Sequence, residues 1–389
     1  MRRLQYGGQY GKVAWMLLFI ISLINESEAS VTFTPSISIG ERYNDNLLFS
    51  ETDKKSDFAT LITPSGMFTY EGKQLTLSCR YEGTGEFYLY NKDFNRYSQN
   101  ASIGLFTQTF KELDVRLTES VTYTPELPAF SFDTVRESNE GIQLARGDTL
   151  RNRAALAVSY NWFPEVNMAL SYTNIITSYE APALQDSAVH NTSLQMGYQW
   201  SARTRWMISY RNNAVIYDRG NDIITHQFSI GTGHQSMNNT LSLNGNLGIV
   251  LYEGESRELT ADISIMKSYE SGSIFLGYTR GVGTGGGLSA ASTINQNLSG
   301  RITEKLGNNT SAYMQLAYGR NESVSVRTLQ ISSYNGSVGI NTKLLSWLDG
   351  SITYTYFKQD AEGATGTDGE RNLAMLTLTA ASLPWKIGR

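Results

Sequence analysis

Cysteine is nearly absent. Cys79 stands alone among 389 residues, so an intrachain disulfide is impossible, and no cysteine follows the leader to carry a lipid anchor. Set between Leu77 and Tyr81 at alternate positions, Cys79 reads as a small residue on an apolar strand face rather than a reactive thiol. Proline is scarce at 7, which removes a common strand breaker. Charged residues make up 17%, below the ~25% usual in soluble domains. There is no basic excess: the formal net charge is −4, which argues against nucleic-acid partners. The three histidines, His190, His226 and His234, have no metal-ligand spacing. No C-x-x-C-H haem motif occurs. Beyond residue 24 no stretch approaches ~18 apolar residues, so no membrane-spanning helix is expected.

What is present is an export leader followed by alternation. Arg2, Arg3 and Lys12 precede an uncharged apolar run from Val13 to Ile24, and Ser27-Glu28-Ala29 supplies a small-x-small cleavage site. This predicts a secretory signal peptide over 1–29, with residues 30–389 as one exported domain. Glycine (35) and tyrosine (23) are abundant. Together with the scarcity of proline they favour strands joined by turns, with aromatics in quantity for membrane interfaces. A mean hydropathy of −0.29 fits strands that turn one face to water.

The segment from Asn239 to Tyr252 shows the rule. Leu241, Leu243, Leu247, Ile249 and Leu251 fall on one face, while Thr240, Ser242, Asn244 and Asn246 fall on the other. That is 180° periodicity. The same rhythm predicts strands at 31–43, 58–70, 74–90, 97–110, 114–124, 149–162, 167–179, 189–200, 204–217, 223–235, 239–252, 258–269, 273–282, 291–303, 310–320, 326–341, 348–358 and 371–380. Short connections (71–73, 163–165, 201–203, 236–238, 270–272) tend to alternate with long ones (44–57, 125–148, 180–188, 283–290, 359–370). Short turns on the periplasmic side and long loops outside are the pattern of a bacterial outer-membrane barrel. The expected fold is therefore an all-β, transmembrane, up-and-down antiparallel barrel of about 18 strands, with 16 as the alternative. Two positions fit poorly: Glu119 falls on the oily face, and Arg371 shares its parity with Leu373 and Met375.

Opposite the oily residues, the wet face carries Arg80, Arg116, Arg151, Arg153, Arg205, Arg211 and Arg301 against Glu82, Asp114, Glu258 and Asp262. The rest is mostly Ser, Thr, Asn and Gln, the lining of a hydrated lumen. Trp162, Trp200, Trp206 and Trp347 lie beside connections assigned to the periplasm, and Tyr179, Tyr217, Tyr252 and Tyr278 lie toward the other strand ends. They are read as two aromatic girdles.

Other motifs are weak. Gly281-Val-Gly283-Thr-Gly-Gly286 fits G-x-G-x-x-G but has no strand–helix unit around it, so it reads as a loop. Loop 44–57 has a calcium-loop composition without the Gly and Glu at the proper offsets. No nucleophile, histidine and carboxylate group together, so no enzyme, cofactor or metal site is expected.

Pro35-Ser-Ile-Ser-Ile-Gly-Glu-Arg-Tyr-Asn-Asp-Asn-Leu-Leu-Phe49, with Lys55-Ser-Asp-Phe58 and Ile62-Thr-Pro64, is similar to the opening of the β-barrel porin family of type two. The resemblance is specific over about residues 35–90. Members of that family often occur beside exopolysaccharide and exosortase (PEP-CTERM) loci in Gram-negative bacteria. It implies residence in the outer membrane and supplies no substrate or catalytic residue. One departure is the C-terminus, where Trp385 stands in for the usual terminal aromatic.

The expected function is a porin-like channel or export conduit linked to surface-polysaccharide traffic, reached through the general secretory pathway. The alternatives are a structural or adhesive barrel with a filled lumen, or the sleeve of a porin–cytochrome complex. Loop 125–148 folding inward as a constriction would favour the channel. Expected partners are outer-membrane lipid and lipopolysaccharide, the outer-membrane assembly machinery, and polysaccharide-export or periplasmic proteins.

Overall fold

The structure is a computed structural model that describes residues 29–110, 112–125, 142, 147–181, 184–252, 257–283, 293–323, 329–363 and 368–386. All but the last residue of the expected leader, most of connection 125–148 and the end of the glycine motif (284–286) lie outside the described residues.

Eighteen long strands are described. They are β1 (Ser30–Asn44), β2 (Asp57–Glu71), β3 (Leu75–Tyr88), β4 (Arg96–Phe110), β5 (Leu113–Thr124) and β6 (Thr149–Phe163). Then come β7 (Val166–Tyr179), β8 (Ser187–Ser201), β9 (Thr204–Tyr217), β10 (Ile223–Gln235), β11 (Leu241–Tyr252) and β12 (Arg257–Tyr269). The last six are β13 (Gly272–Gly283), β14 (Thr293–Lys305), β15 (Thr310–Ser323), β16 (Leu329–Leu345), β17 (Leu348–Gly363) and β18 (Gly369–Ala381). Each pairs antiparallel with its sequence neighbours, and Ser36–Asn44 of β1 pair with residues 381–373 of β18. The sheet is closed, and the count is 18, not 16. Closure leaves no open edge, which is what hydrocarbon demands of a sheet, since each unpaired backbone group there costs several kcal/mol. A two-residue β19 (Trp385–Lys386) pairs with Phe33 and Thr32 of β1, with the Trp385 ring edge-on to Phe33 at 5.9 Å.

One end of the barrel has connections of two to five residues; those at the other end run from four to twenty-four. The register shifts at Gln108/Phe110, Asn161/Phe163, Gln199/Ser201 and Lys343/Leu345 all abut short turns, so the irregularity sits at one rim and the spans stay regular.

The alternation read from sequence is the alternation of the wall. Ile37, Ile39, Leu170, Leu194, Ile208, Leu247, Leu276 and Ile352 are exposed on the outer face, and Trp162, Trp200, Trp206 and Trp347 are exposed near the short-turn rim. Cys79 lies on the outer face beside Phe68 and Leu77. Glu119 also stays on that face, because the β4–β5 register runs unbroken through it. No bulge re-aims it; the Asn152 side-chain amide donates to its carboxylate at 3.1 Å.

Two expectations about facing are corrected. Tyr179, Tyr217 and Tyr252 share the lumen parity of their strands, and Tyr217 is buried, so they do not belong to an outer girdle; Tyr278 does face outward. In β18 the exposed Leu376 and Leu378 set the outer face. That turns Arg371, Leu373 and Met375 inward, the reverse of the sequence reading. The histidines belong to outward clusters. The Tyr172 and Tyr210 hydroxyls meet His190 and His226 Nδ1 at 2.8 Å each, and Asn174 and Asn212 lie alongside at 3.2 and 3.3 Å.

Candidate functional site

The inner face is a wall of short polar side chains knit by hydroxyl pairs. Ser38 and Thr379 meet at 2.8 Å, Thr63 and Thr84 at 2.9 Å, Ser171 and Ser193 at 2.7 Å, and Ser209 and Ser229 at 2.6 Å. Such cross-strand pairs satisfy donors and acceptors along the wall while leaving it narrow in profile and wettable.

The charges on this wall are unevenly distributed. Arg80, Arg116, Arg151, Arg153, Arg205 and Arg211 all lie on the lumen face of β3 to β9, whereas Asp262 and Arg301 lie across on β12 and β14. Glu82 follows Arg80 on the same strand face and pairs with it at 3.0 Å. The Arg116 guanidinium sits 5.7 Å from the Phe106 ring centre, and Arg205 donates to Asn167 Oδ1 at 3.0 Å. Arg301 stands over the Tyr313 ring at 5.0 Å. Glu258 is held by Arg280 at 2.9 Å, and Asp114 follows the arginine arc on β5.

The outer third of the lumen is narrowed from within, by a segment the sequence placed outside. In connection 45–56, Leu47 and Phe49 are each 1% exposed. Leu47 packs with Ala59, Leu61, Tyr88, Phe94 and Met375, and Phe49 packs on Phe357 at 5.4 Å with the Arg371 guanidinium 5.6 Å away. Phe49 has φ +50°, a left-handed conformation that a bulky residue adopts only when its surroundings hold it. Asn46, fully buried, is the latch. Its Nδ2 donates to the carbonyls of Ser50 (2.7 Å) and Glu370 (2.9 Å), and its Oδ1 accepts from Ser50 N at 3.0 Å. Asp45 accepts from Asn372 N and Nδ2 at 2.7 and 2.6 Å, and Lys54 donates to Glu370 at 2.7 Å, which raises the Lys54 ammonium above its ordinary pKa. The loop is thereby tied to β18 across the seam where the barrel closes. From connection 125–148, Ile142 packs against Ile331 and Ala361 of the inner wall.

Two of the four acids of the calcium-like loop, Asp45 and Asp57, are already engaged. Asp57 accepts from the backbone N–H groups of Phe58 (2.8 Å), Tyr90 (3.1 Å) and Asn91 (2.7 Å) and from Asn91 Nδ2 (2.9 Å), so it anchors connection 89–95. Asp57→Ala strands those donors and is expected to loosen the connection by about 3 kcal/mol. Hydrogen exchange at Tyr90 and Asn91 measures it, and exchange unchanged from the parent protein would remove Asp57 as the anchor.

Beside the constriction, Arg42, Glu86 and Tyr88 form a second inner group that the sequence reading missed. Arg42 Nη2 donates to Glu86 at 2.9 Å and to Tyr88 at 2.9 Å. The signal was there in the parity of Arg42 against Ile37 and Ile39. Arg371 was missed for the opposite reason, its apolar neighbours having been read as lipid-facing. Among the described residues no three His, Cys, Asp or Glu side chains are placed to hold a metal.

No family model matches the chain, and no curated protein matches it. Solved structures do. OpdK of Pseudomonas aeruginosa superposes with a TM-score of 0.50 at 11% identity, over 91% of this chain and 99% of that one. OccAB3 of Acinetobacter baumannii gives 0.51 at 12%, over 92% and 100%. OccK2 (OpdF) of Pseudomonas aeruginosa, solved with glucuronate, gives 0.50 at 12%, over 91% and 98%. The fold is that of an outer-membrane porin barrel. At such identity the likeness speaks for the architecture, and the chemistry of the lumen is this chain's own.

Proposed function

We propose that the protein is a non-enzymatic outer-membrane channel for small hydrophilic anions, carboxylated saccharides foremost, and that it serves surface-polysaccharide traffic. The observation that carries the reading is the arginine arc: six arginines on the lumen faces of β3, β5, β6 and β9 against Glu82 and Asp114, in a wall otherwise mostly hydroxyls and amides. A low-dielectric wall concentrates the field of fixed charge on the aqueous path, so the arc favours anions. Acids at the outer rim act against this, but salt screens exposed charge within about 8–10 Å. Glucuronate bound to the similarly folded OccK2 supports a carboxylated sugar as the cargo class, and the family resemblance over residues 35–90 supports the polysaccharide setting. In the same reading the chain is exported by the general secretory route, inserted by the outer-membrane assembly machinery and surrounded by lipopolysaccharide. The inward loop 45–56 favours a second reading, a barrel plugged at its outer end.

Reversal potentials in a KCl gradient across a planar bilayer separate the two. The native protein is expected to prefer chloride, and Arg205→Glu with Arg211→Glu to bring that preference toward unity or invert it. A cation-selective native pore would refute the arc argument, and no conductance at all would leave the plugged barrel.

A further inference from the structure

At the short-turn mouth of the lumen, the ends of β15 to β18 form an open cavity of about 390 Å³ lined by hydrogen-bonding side chains, among them Ser311, Asn341, Lys343, Asp349, Ser351 and Thr377. The volume lies in the ~300–1,000 Å³ range of small-molecule sites. Lys343 and Asp349 are directly opposite each other on β16 and β17. Opposite charges in that relation ordinarily pair. Here neither side chain makes an ion pair or hydrogen bond with any described residue, and both are exposed to the cavity. The β16 register shifts at Lys343/Leu345, and shifts of this kind re-aim side chains. The cavity therefore presents a free cation and a free anion among neutral hydroxyls and amides.

Tyr313 does not line the cavity but lies flat on the wall next to it, as a shelf. One lumen position up β15 from Ser311, its side chain crosses the whole width of β16 to bring its hydroxyl 3.3 Å from Thr353 on β17. It crosses at Gly339, where a Cβ would lie 2.5 Å from the ring, so only glycine lets the shelf lie down. Arg301 over the ring adds a second cation on that side.

We infer that this cavity is a binding subsite for one uronate residue of a saccharide. A carboxylate meets Lys343 as a charge-assisted acceptor, ring hydroxyls donate to Asp349, and Asn341, Ser311 and Ser351 exchange hydrogen bonds with the remaining hydroxyls. Both free charges are used, and no apolar surface is asked of the ligand. The inference names a subsite within the anionic-saccharide reading above, and binding is measured apart from conduction so that each can fail alone.

The test is isothermal titration of the detergent-solubilised full-length protein at low salt with trigalacturonate, and with maltotriose as the neutral trisaccharide. Trigalacturonate is expected to bind more tightly than maltotriose. Lys343→Ala should weaken trigalacturonate about tenfold or more, the equivalent of one charge-assisted hydrogen bond, while affecting maltotriose little. Gly339→Ala, which leaves every charge in place and displaces the Tyr313 shelf, should weaken both sugars. Heat-modifiable migration on gels verifies that each variant is folded. Equal trigalacturonate affinity in folded Lys343→Ala and native protein would overturn the subsite, as would equal binding of the two sugars by the native protein. A protein that conducts anions yet does not bind trigalacturonate would lose the subsite and keep the channel. One that binds but never conducts would keep the subsite and lose the channel.

Discussion

Leu276→Arg will destabilise the barrel by about 2–4 kcal/mol in a lipid-refolding titration, because it sets a charge on the outer face midway along β13. Leu276 is 51% exposed, and its cross-strand partner Ile265 is exposed as well, so an arginine there has apolar surroundings and hydrocarbon to face. Asn244→Arg on β11 is the matched control: it lies on the lumen face, where water solvates the added charge, and should refold within about 0.5 kcal/mol of the parent. The contrast matters more than either value. If both variants refolded equally well in lipid, the face assignment of β11 to β13 would be wrong.

Phe49→Ala is the second large effect. Truncating a side chain buried to 1% between Phe357 and Arg371 removes about 3–5 kcal/mol from the closed position of loop 45–56, since the cavity left behind is too enclosed to fill cheaply. Alanine also keeps the left-handed backbone while losing the packing that held it. Two readouts should move together: trypsin should cut faster at the exposed Lys54 and Lys55, and the mean single-channel conductance should rise as the outer third widens. Faster cleavage with unchanged conductance would show that the loop does not narrow the conducting path.

These two residues mark how far the sequence could be read. Leu276 belongs to a strand whose alternation is uninterrupted, with Ile274, Leu276 and Tyr278 on one face, and such a pattern has one solution when hydrocarbon lies on one side and water on the other. The same logic placed all eighteen strands, the short turns, and the lumen parity of Arg80, Arg116, Arg153 and Arg211. Phe49 is different. Asn46-Leu-Leu-Phe49 has no period, and its apolar residues sit among Asp, Lys and Ser that read as a solvated external loop.

Glu119 and Arg371 show the limits of parity from both sides. Glu119 violates the pattern and stays where parity puts it, because Asn152 of the next strand satisfies its carboxylate. Arg371 led to the wrong face because Leu373 and Met375 were taken as lipid-facing. In fact a tucked loop gives the lumen its own apolar patch, and Met375 belongs to it.

Strand number and alternation were thus legible in the chain, because each follows from local rules: period two, turn length and the cost of charge in hydrocarbon. The inward fold of loop 45–56 and the gathering of Lys343, Asp349 and Tyr313 at one mouth were not. They depend on which strands become neighbours when β1 meets β18 and on register within each pair, and both arise from contacts between residues far apart in sequence.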